Sequence, residues 1–337
     1  MIYINLLTHL KQKLFEKQLP EDLFHQGFVF EINSKKDIIW DLVIVYEDID
    51  EPWFVKYKEN GLLFISGEPP FVKVYSEKFL SQFNYIISAH PEIKHSNNFL
   101  IQQSLPWYFG YDFANNAIDY TFEDLVKMAV PVKNKKISFI TSNRTFLPGH
   151  NSRVKFCEEL QKRYSGYIDF YGKGFHPVND KAEAIMPYYF SICIENSNID
   201  NYWTEKIADA FLGFSVPVYY GCKNIHSYFP EDSFISMNIK DKKTTFSIIE
   251  NLIRDTEVIY EKIFSHMMES RKKCLYQYNI FYSMMSFAQK YIRNQVSDKI
   301  INIQLQSSTT FHDSDMANKF LKIRRIALKR IDKTFHW

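Results

Sequence analysis

The stretch from Phe190 to Gly221, FSICIENSNIDNYWTEKIADAFLGFSVPVYYG, gathers the residue types that a phosphate-bearing ligand needs. An apolar run ends at Ile194 and delivers Glu195, Asn196 and Ser197 to the end of a buried strand. A polar loop follows. Thr204 then has the chemistry of a helix N-cap, with Glu205 and Lys206 in the first turn. Ile207, Ala208, Phe211 and Leu212 recur at the spacing of one buried helix face, and the next strand begins at Val216. A helix N-terminus turns free N–H groups and the positive end of its dipole toward an anion. Lys206 opposes that dipole, so its presence asks for a compensating negative charge, and a diphosphate would supply one. Glu205 is less telling, because an acidic residue in the first turn is what the dipole alone selects.

A second group sits near the N-terminus. The segment Phe64-Ile65-Ser66-Gly67-Glu68-Pro69-Pro70 runs an apolar strand into Gly-Glu, and two prolines then stop regular structure. A carboxylate at that edge would face a cleft between domains; the alternative is a strand end on the surface. His90 and His95 flank a Pro-Glu loop and read as surface or core polar residues. Asp48, Asp50 and Glu51 in EDIDEP look like a metal-binding DxD by eye and read here as a solvated turn. Cys157, Cys193, Cys222 and Cys274 lack CxxC spacing and a nearby His, which disfavours a metal site and favours buried reduced thiols and the cytoplasm.

The elements that must position these residues follow from the apolar runs. Residues 3–17 have Ile4, Leu7, Leu10, Leu14 and Phe15 at helical spacing, which predicts an amphipathic helix. DLVIVY (41–46), LLFIS (62–66) and FNYIIS (83–88) are short, continuous and β-branched or aromatic, as strands buried on both faces are. From 131 a regular rhythm begins: strand 136–141, helix 152–164, strand 167–171, short helix 179–186, strand 189–194, helix 204–214 and strand 216–220. Such alternation implies βαβ units and a parallel sheet with helices on both faces. Residues 241–295 read as helical. Met316 to Phe335 reads as a basic amphipathic helix, suited either to an anionic membrane or to docking on the protein itself. The expected fold class is α/β, with two Rossmann-like domains facing a central cleft: 1–130, 131–295, and a helical tail 296–337.

Composition excludes several classes. At 337 residues the chain exceeds what one hydrophobic core usually organises. A net charge of +2, from 41 basic and 39 acidic residues, gives no electrostatic case for nucleic acid. GxGxxG and GxxxxGK[ST] are both absent, which disfavours a dinucleotide site of the usual kind and a P-loop. The N-terminal MIYINLLTHLKQKLF lacks the pattern of a secretory signal, and no window of 18 residues is free of charges and strong polars. The expected location is the cytoplasm, with the C-terminal helix as the route to peripheral contact with the inner membrane surface.

ENSNIDNYWTEKIADAFLGFSVPVYYG, with Asn224-Ile225 and Ser233-Phe234-Ile235 after it, resembles the donor-binding region of the family 10 α-1,3/1,4-fucosyltransferases. Ser142-Asn143, Arg153 opening a helix, FYGKG at 170–174 and YYFSICIENS match upstream, in unbroken order. The resemblance implies the two-domain GT-B arrangement and a C-terminal domain that binds GDP-fucose. It places Arg153, Tyr202 and Lys206 around the diphosphate, Asn196 nearby, and Glu205 on the ribose hydroxyls. These residue types suit those tasks: Arg grips phosphate oxygens bidentately, Lys acts as a point charge, and a carboxylate accepts from two hydroxyls. A similar Gly-Glu in bacterial members supplies the catalytic carboxylate, which makes Glu68 the candidate general base.

The implied reaction is one inverting displacement of GDP by a glycan hydroxyl, with no obligatory metal or cofactor. The acceptor would be an N-acetylglucosamine-containing surface polysaccharide or lipopolysaccharide. Two competing readings keep the fold: a different nucleotide-sugar donor, or a glycan-binding protein without catalysis.

Overall fold

The computed structural model describes residues 1–141, 148–293, 297 and 299–314, without the side chains of 148–152 and 312–314. Ser142-Asn143 and the helix expected over Met316–Phe335 lie outside the described residues. The chain forms two compact units: Met1–Leu105 with the described residues from Asn279 onward, and Pro106–Tyr278. The divisions expected near 130 and 295 compare with 105/106 and 278/279 here.

The first unit is built on a six-stranded parallel sheet, in the order Phe28–Ile32, Ile2–Thr8, Leu42–Tyr46, Leu62–Ile65, Tyr85–Ser88, Asn98–Leu100. Every residue of Leu42–Tyr46 and Leu62–Ile65 is buried, as expected of strands covered on both faces. Phe64 anchors that core, its ring 4.8 Å from Tyr75 and 5.2 Å from Phe79. A second, three-stranded sheet sets Trp53–Lys58 between Ile39–Trp40 and the returning Ile300–Leu305.

Residues 3–17 are not one helix: Ile2–Thr8 is a strand of the large sheet, and only Gln12–Glu16 is helical. Ile4, Leu6 and Leu7 are all buried between two neighbouring strands. An apolar run covered on both faces satisfies helical spacing by accident, and periodicity alone does not separate the two in so short a segment.

The second unit carries a five-stranded parallel sheet, in the order Ile168–Tyr171, Lys135–Ile140, Tyr188–Ile194, Val216–Tyr220, Ile235–Ser236. Helices Pro148–Tyr164, Glu205–Leu212, Lys242–Arg254 and Thr256–Leu275 belong to this unit, while Ile280–Tyr291 returns to the first. The short helix expected over 179–186 is a 3-10 turn, Lys181–Ala184, started by a capping box between Asp180 and Glu183.

Both sheets place their first strand second and then run on in sequence order. Chain direction across the sheet therefore reverses between the first and third strands, and ligands of such sheets bind beyond the carboxyl ends at that point. In the first unit the third strand ends at Tyr46; in the second it ends at Ile194.

All four cysteines are free and buried. Among the described residues no helix is long and apolar enough to cross a membrane.

Candidate functional site

Glu195 is the centre of the second unit's carboxyl edge. Its N–H donates to Tyr220 O at 2.9 Å, extending the ladder one residue past the strand. Its side chain is fully buried, which without partners would be prohibitive for a carboxylate. Thr204 N–H donates to Oε1 at 2.8 Å, Thr204 Oγ1 to Oε2 at 2.8 Å, and Lys206 Nζ to Oε2 at 3.1 Å. Lys206 Nζ also donates to Thr204 Oγ1 at 2.9 Å. Glu195 thus fastens the first turn of helix Glu205–Leu212 to the end of the neighbouring strand. Gly221 makes room for it: a Cβ there would stand 2.3 Å from Glu195 Cγ.

The charge that balances Lys206 against the helix dipole is therefore inside the protein. About a fifth of the Lys206 side chain still reaches solvent, at 22% exposure, while its ammonium stays on Glu195 and Thr204. Arg153, itself buried, comes in from helix Pro148–Tyr164 and donates from Nη1 to Asn196 Oδ1 at 2.7 Å. Two cations, one of them on a helix N-terminus, thus stand beside adjacent residues 195 and 196, where the sheet order reverses.

A second tier of charge lies under the helix. Glu205 Oε1 accepts from Lys181 Nζ at 3.3 Å and lies 3.7 Å from Lys206 Nζ. Lys181 Nζ also donates to Asp209 Oδ2 at 2.7 Å, and Asp209 Oδ1 accepts from the N–H groups of Tyr108 and Phe109, each at 3.0 Å. Burial alone would raise the Glu205 carboxyl; Lys206 and Lys181 overcome it and hold the group at about 2. Its ordinary value is 4.5, so ionised Glu205 contributes stability that is complete above 4.5 and fades as pH falls toward 2. With the side chain 15% exposed, that contribution is on the order of 3 kcal/mol at neutral pH. Glu205→Gln should therefore be the less stable protein at pH 7, with the gap narrowing steadily toward pH 2 in urea titrations. A gap independent of pH would refute the ion-pair account.

The loop between Asn196 and Thr204 is fixed by Asn201, whose φ of 61° is left-handed. Asn201 N–H donates to Asn224 Oδ1 at 2.7 Å, and Asn224 Nδ2 returns a bond to Asn201 Oδ1 at 2.8 Å. Tyr202 next to it is 4% exposed, and Trp203 packs on Phe229 with centroids 5.0 Å apart.

Glu68 belongs to the first unit and is half-buried. It follows strand Leu62–Ile65 at the carboxyl edge, as the sequence suggested. Its carbonyl accepts from Ser66 Oγ at 3.1 Å and from His90 Nε2 at 2.7 Å. His90 is buried, with Nδ1 3.1 Å from Glu92 Oε1. The neighbouring Glu47-Asp48 is not a solvated turn. Asp48 is buried and accepts from Ser308 N at 2.9 Å and from Lys73 Nζ at 3.1 Å, and only Asp50 and Glu51 are exposed. Both buried acids end the central strand Leu42–Tyr46, where water cannot reach them freely.

The structure thus brings Arg153 to Asn196, Lys206 to Glu195 and Glu205 to Lys181, with Tyr202 buried in the intervening loop. Sequence reasoning placed Glu195 at the sheet edge but gave it no partner, and it missed Lys181, Asp209 and Glu47. Lys206 was the available signal, since a cation in a first turn demands a nearby anion. Among the described residues no group of three His, Cys, Asp or Glu side chains is arranged to hold a metal ion.

Residues 130–305 match the model of the C-terminal domain of "Glycosyltransferase family 10 (fucosyltransferase)". Human 4-galactosyl-N-acetylglucosaminide 3-alpha-L-fucosyltransferase 9 is 41% identical over 111 residues, which is 32% of this chain and 30% of that protein. Alpha-(1,3)-fucosyltransferase FucT of Helicobacter pylori is 29% identical over 108 residues, 32% of this chain and 22% of that protein. The matched stretch is thus a third or less of either relative. A solved alpha1,3-fucosyltransferase structure superposes with a TM-score of 0.50 at 16% identity, covering 87% of this chain and 90% of that one. At that identity the likeness speaks to fold alone, and the fold is GT-B, with two Rossmann-like units.

Proposed function

This chain belongs to glycosyltransferase family 10, and from that premise we propose that it transfers L-fucose from GDP-fucose to a hydroxyl of a glycan acceptor. The observation that carries the proposal is the cationic edge formed by Arg153 and Lys206 beside Asn196 and the N-terminus of helix Glu205–Leu212. A diphosphate needs cations together with oriented N–H donors, and this edge supplies both from rigid elements.

In the proposed complex Arg153 and Lys206 hold the diphosphate, with Asn196 and Tyr202 alongside. Lys206 is held in place by Glu195 before the donor arrives, so its charge needs little reorganisation as negative charge grows on the departing GDP. Glu205, already ionised, accepts from the ribose hydroxyls while keeping Lys181 as its internal partner. Glu68 takes the proton from the attacking hydroxyl in a single displacement with inversion at the anomeric carbon. N-acetylglucosamine-containing surface polysaccharide or lipopolysaccharide is the acceptor class we propose, with the enzyme working in the cytoplasm at the inner membrane surface.

Calorimetry with GDP, GDP-fucose, GDP-mannose and UDP-galactose tests the donor reading. GDP and GDP-fucose should bind and UDP-galactose should not. Arg153→Ala should weaken GDP by roughly tenfold to a hundredfold, the worth of one charge-assisted hydrogen bond. Tight UDP-galactose binding, or no nucleotide binding at all, would leave the family assignment and remove the donor.

A further inference from the structure

Glu47 stands at the carboxyl end of the strand beside the one that leads to Glu68, with Tyr46 paired to Ile65 and the Glu47 N–H donating to Ile65 O at 2.8 Å. Its φ of 67° is left-handed, a conformation a glutamate keeps only where its surroundings enforce it. The side chain, 8% exposed, turns beneath Gly67. There it accepts from Tyr75 OH at 3.2 Å, with Lys73 Nζ at 3.9 Å. The fit is close: a Cβ on residue 67 would come within 2.3 Å of Glu47 Oε1. A buried amide or apolar side chain would fill this space without the desolvation that a carboxylate suffers. Instead a second acid lies under the residue that precedes Glu68 and interacts with it electrostatically.

We propose that Glu47 is a positioning carboxylate for Glu68: it packs close under Gly67 and, when ionised, adds a negative charge that makes Glu68 a stronger base. The inference rests on reading Glu68 as the base. Burial pushes the Glu47 carboxyl up to about 7; the Glu68 charge adds to the rise, while Lys73, Tyr75 and the Gly67 N–H oppose it. Other groups bear on the pair at one remove. Asp48 shares Lys73 at 3.1 Å, and His90 packs its ring 5.6 Å from Tyr75 while donating to the Glu68 carbonyl. Below pH 7 Glu47 is neutral and adds no charge beside Glu68. Above it Glu47 is ionised too, and its charge makes Glu68 take up a proton more readily.

The test follows glutamate side-chain carboxyl carbons by NMR from pH 4 to 9 in the full chain, beside turnover of GDP-fucose with N-acetyllactosamine. The native protein should show one glutamate titrating near 7 that is absent from Glu47→Gln. In Glu68→Gln that signal should remain and its midpoint fall by about one pH unit, as loss of a coupled like charge requires. Native kcat should climb again through pH 7, and Glu47→Gln should lack that second rise. A Glu47 midpoint that Glu68→Gln leaves in place overturns the inference, and this arm keeps Glu47 intact should Glu47→Gln fail to fold. Coupling seen by NMR with full turnover in Glu68→Gln would instead overturn the base assignment.

Discussion

Glu68→Gln should lower kcat for fucosyl transfer by about two to four orders of magnitude while GDP affinity stays at the native value. The amide keeps the shape of the side chain and takes away its basicity. The backbone should stay put, because Ser66 and His90 hold the Glu68 carbonyl and not its carboxylate. The nucleotide contacts proposed here come from Arg153, Asn196, Tyr202, Glu205 and Lys206, all in the other unit. A loss confined to kcat is what removing a group that acts only in the transition state produces. Calorimetry with GDP, run on the same preparation as the kinetics, separates the two quantities. Turnover within threefold of native would end the candidacy of Glu68, and weakened GDP binding would show that the substitution reached beyond proton transfer.

Lys206→Ala should act twice, and the two effects can be taken apart. Removing the ammonium takes away a cation proposed to hold the diphosphate, and among the described residues it also leaves the fully buried Glu195 carboxylate with Thr204 as its one donor. Breaking a buried pair from one side costs about 3 kcal/mol or more, independent of any ligand. Lys206→Ala alone therefore confounds loss of function with loss of fold. The double variant Lys206→Met with Glu195→Gln replaces both charges together, and such replacements are often close to neutral. It should recover most of the stability in urea denaturation while GDP binding stays at least tenfold weaker than native. Recovery of binding along with stability would show that Lys206 serves only the fold. A double variant as unstable as the single one would show that the pair does not account for the loss.

The parts of this architecture legible in the sequence are those where burial alone decides the outcome. DLVIVY, LLFIS and VPVYY are too short and too uniformly apolar to be surface helices, and they form inner strands of the two sheets. Thr204 before Glu205-Lys206 marked a helix start, and it is the N-cap. Ile2–Thr8 misled because a strand buried on both faces has no alternation to betray it. Ile300–Leu305, inside the tail 296–337 expected to be helical, is a strand paired with Trp53–Lys58, and both escaped notice because pairing partners far along the chain are not written locally. The site shows the same division. Arg153 and Lys206 carry types whose chemistry toward a diphosphate is evident from the sequence alone. Glu195, Lys181, Asp209 and Glu47 owe their importance to what surrounds them, and a lone acidic or basic letter does not reveal a buried counter-charge.

Glu47 and Gly67 also constrain how this chain can change over time. The carboxylate occupies the space that a side chain at 67 would need, so a replacement at 67 is felt at 47. An alanine at 67 would displace the Glu47 carboxylate from its present place, so that replacement is felt less once the acid at 47 has been shortened or lost. Twenty residues separate the two positions in sequence, so their joint history would register as a correlated pair with no local motif to announce it.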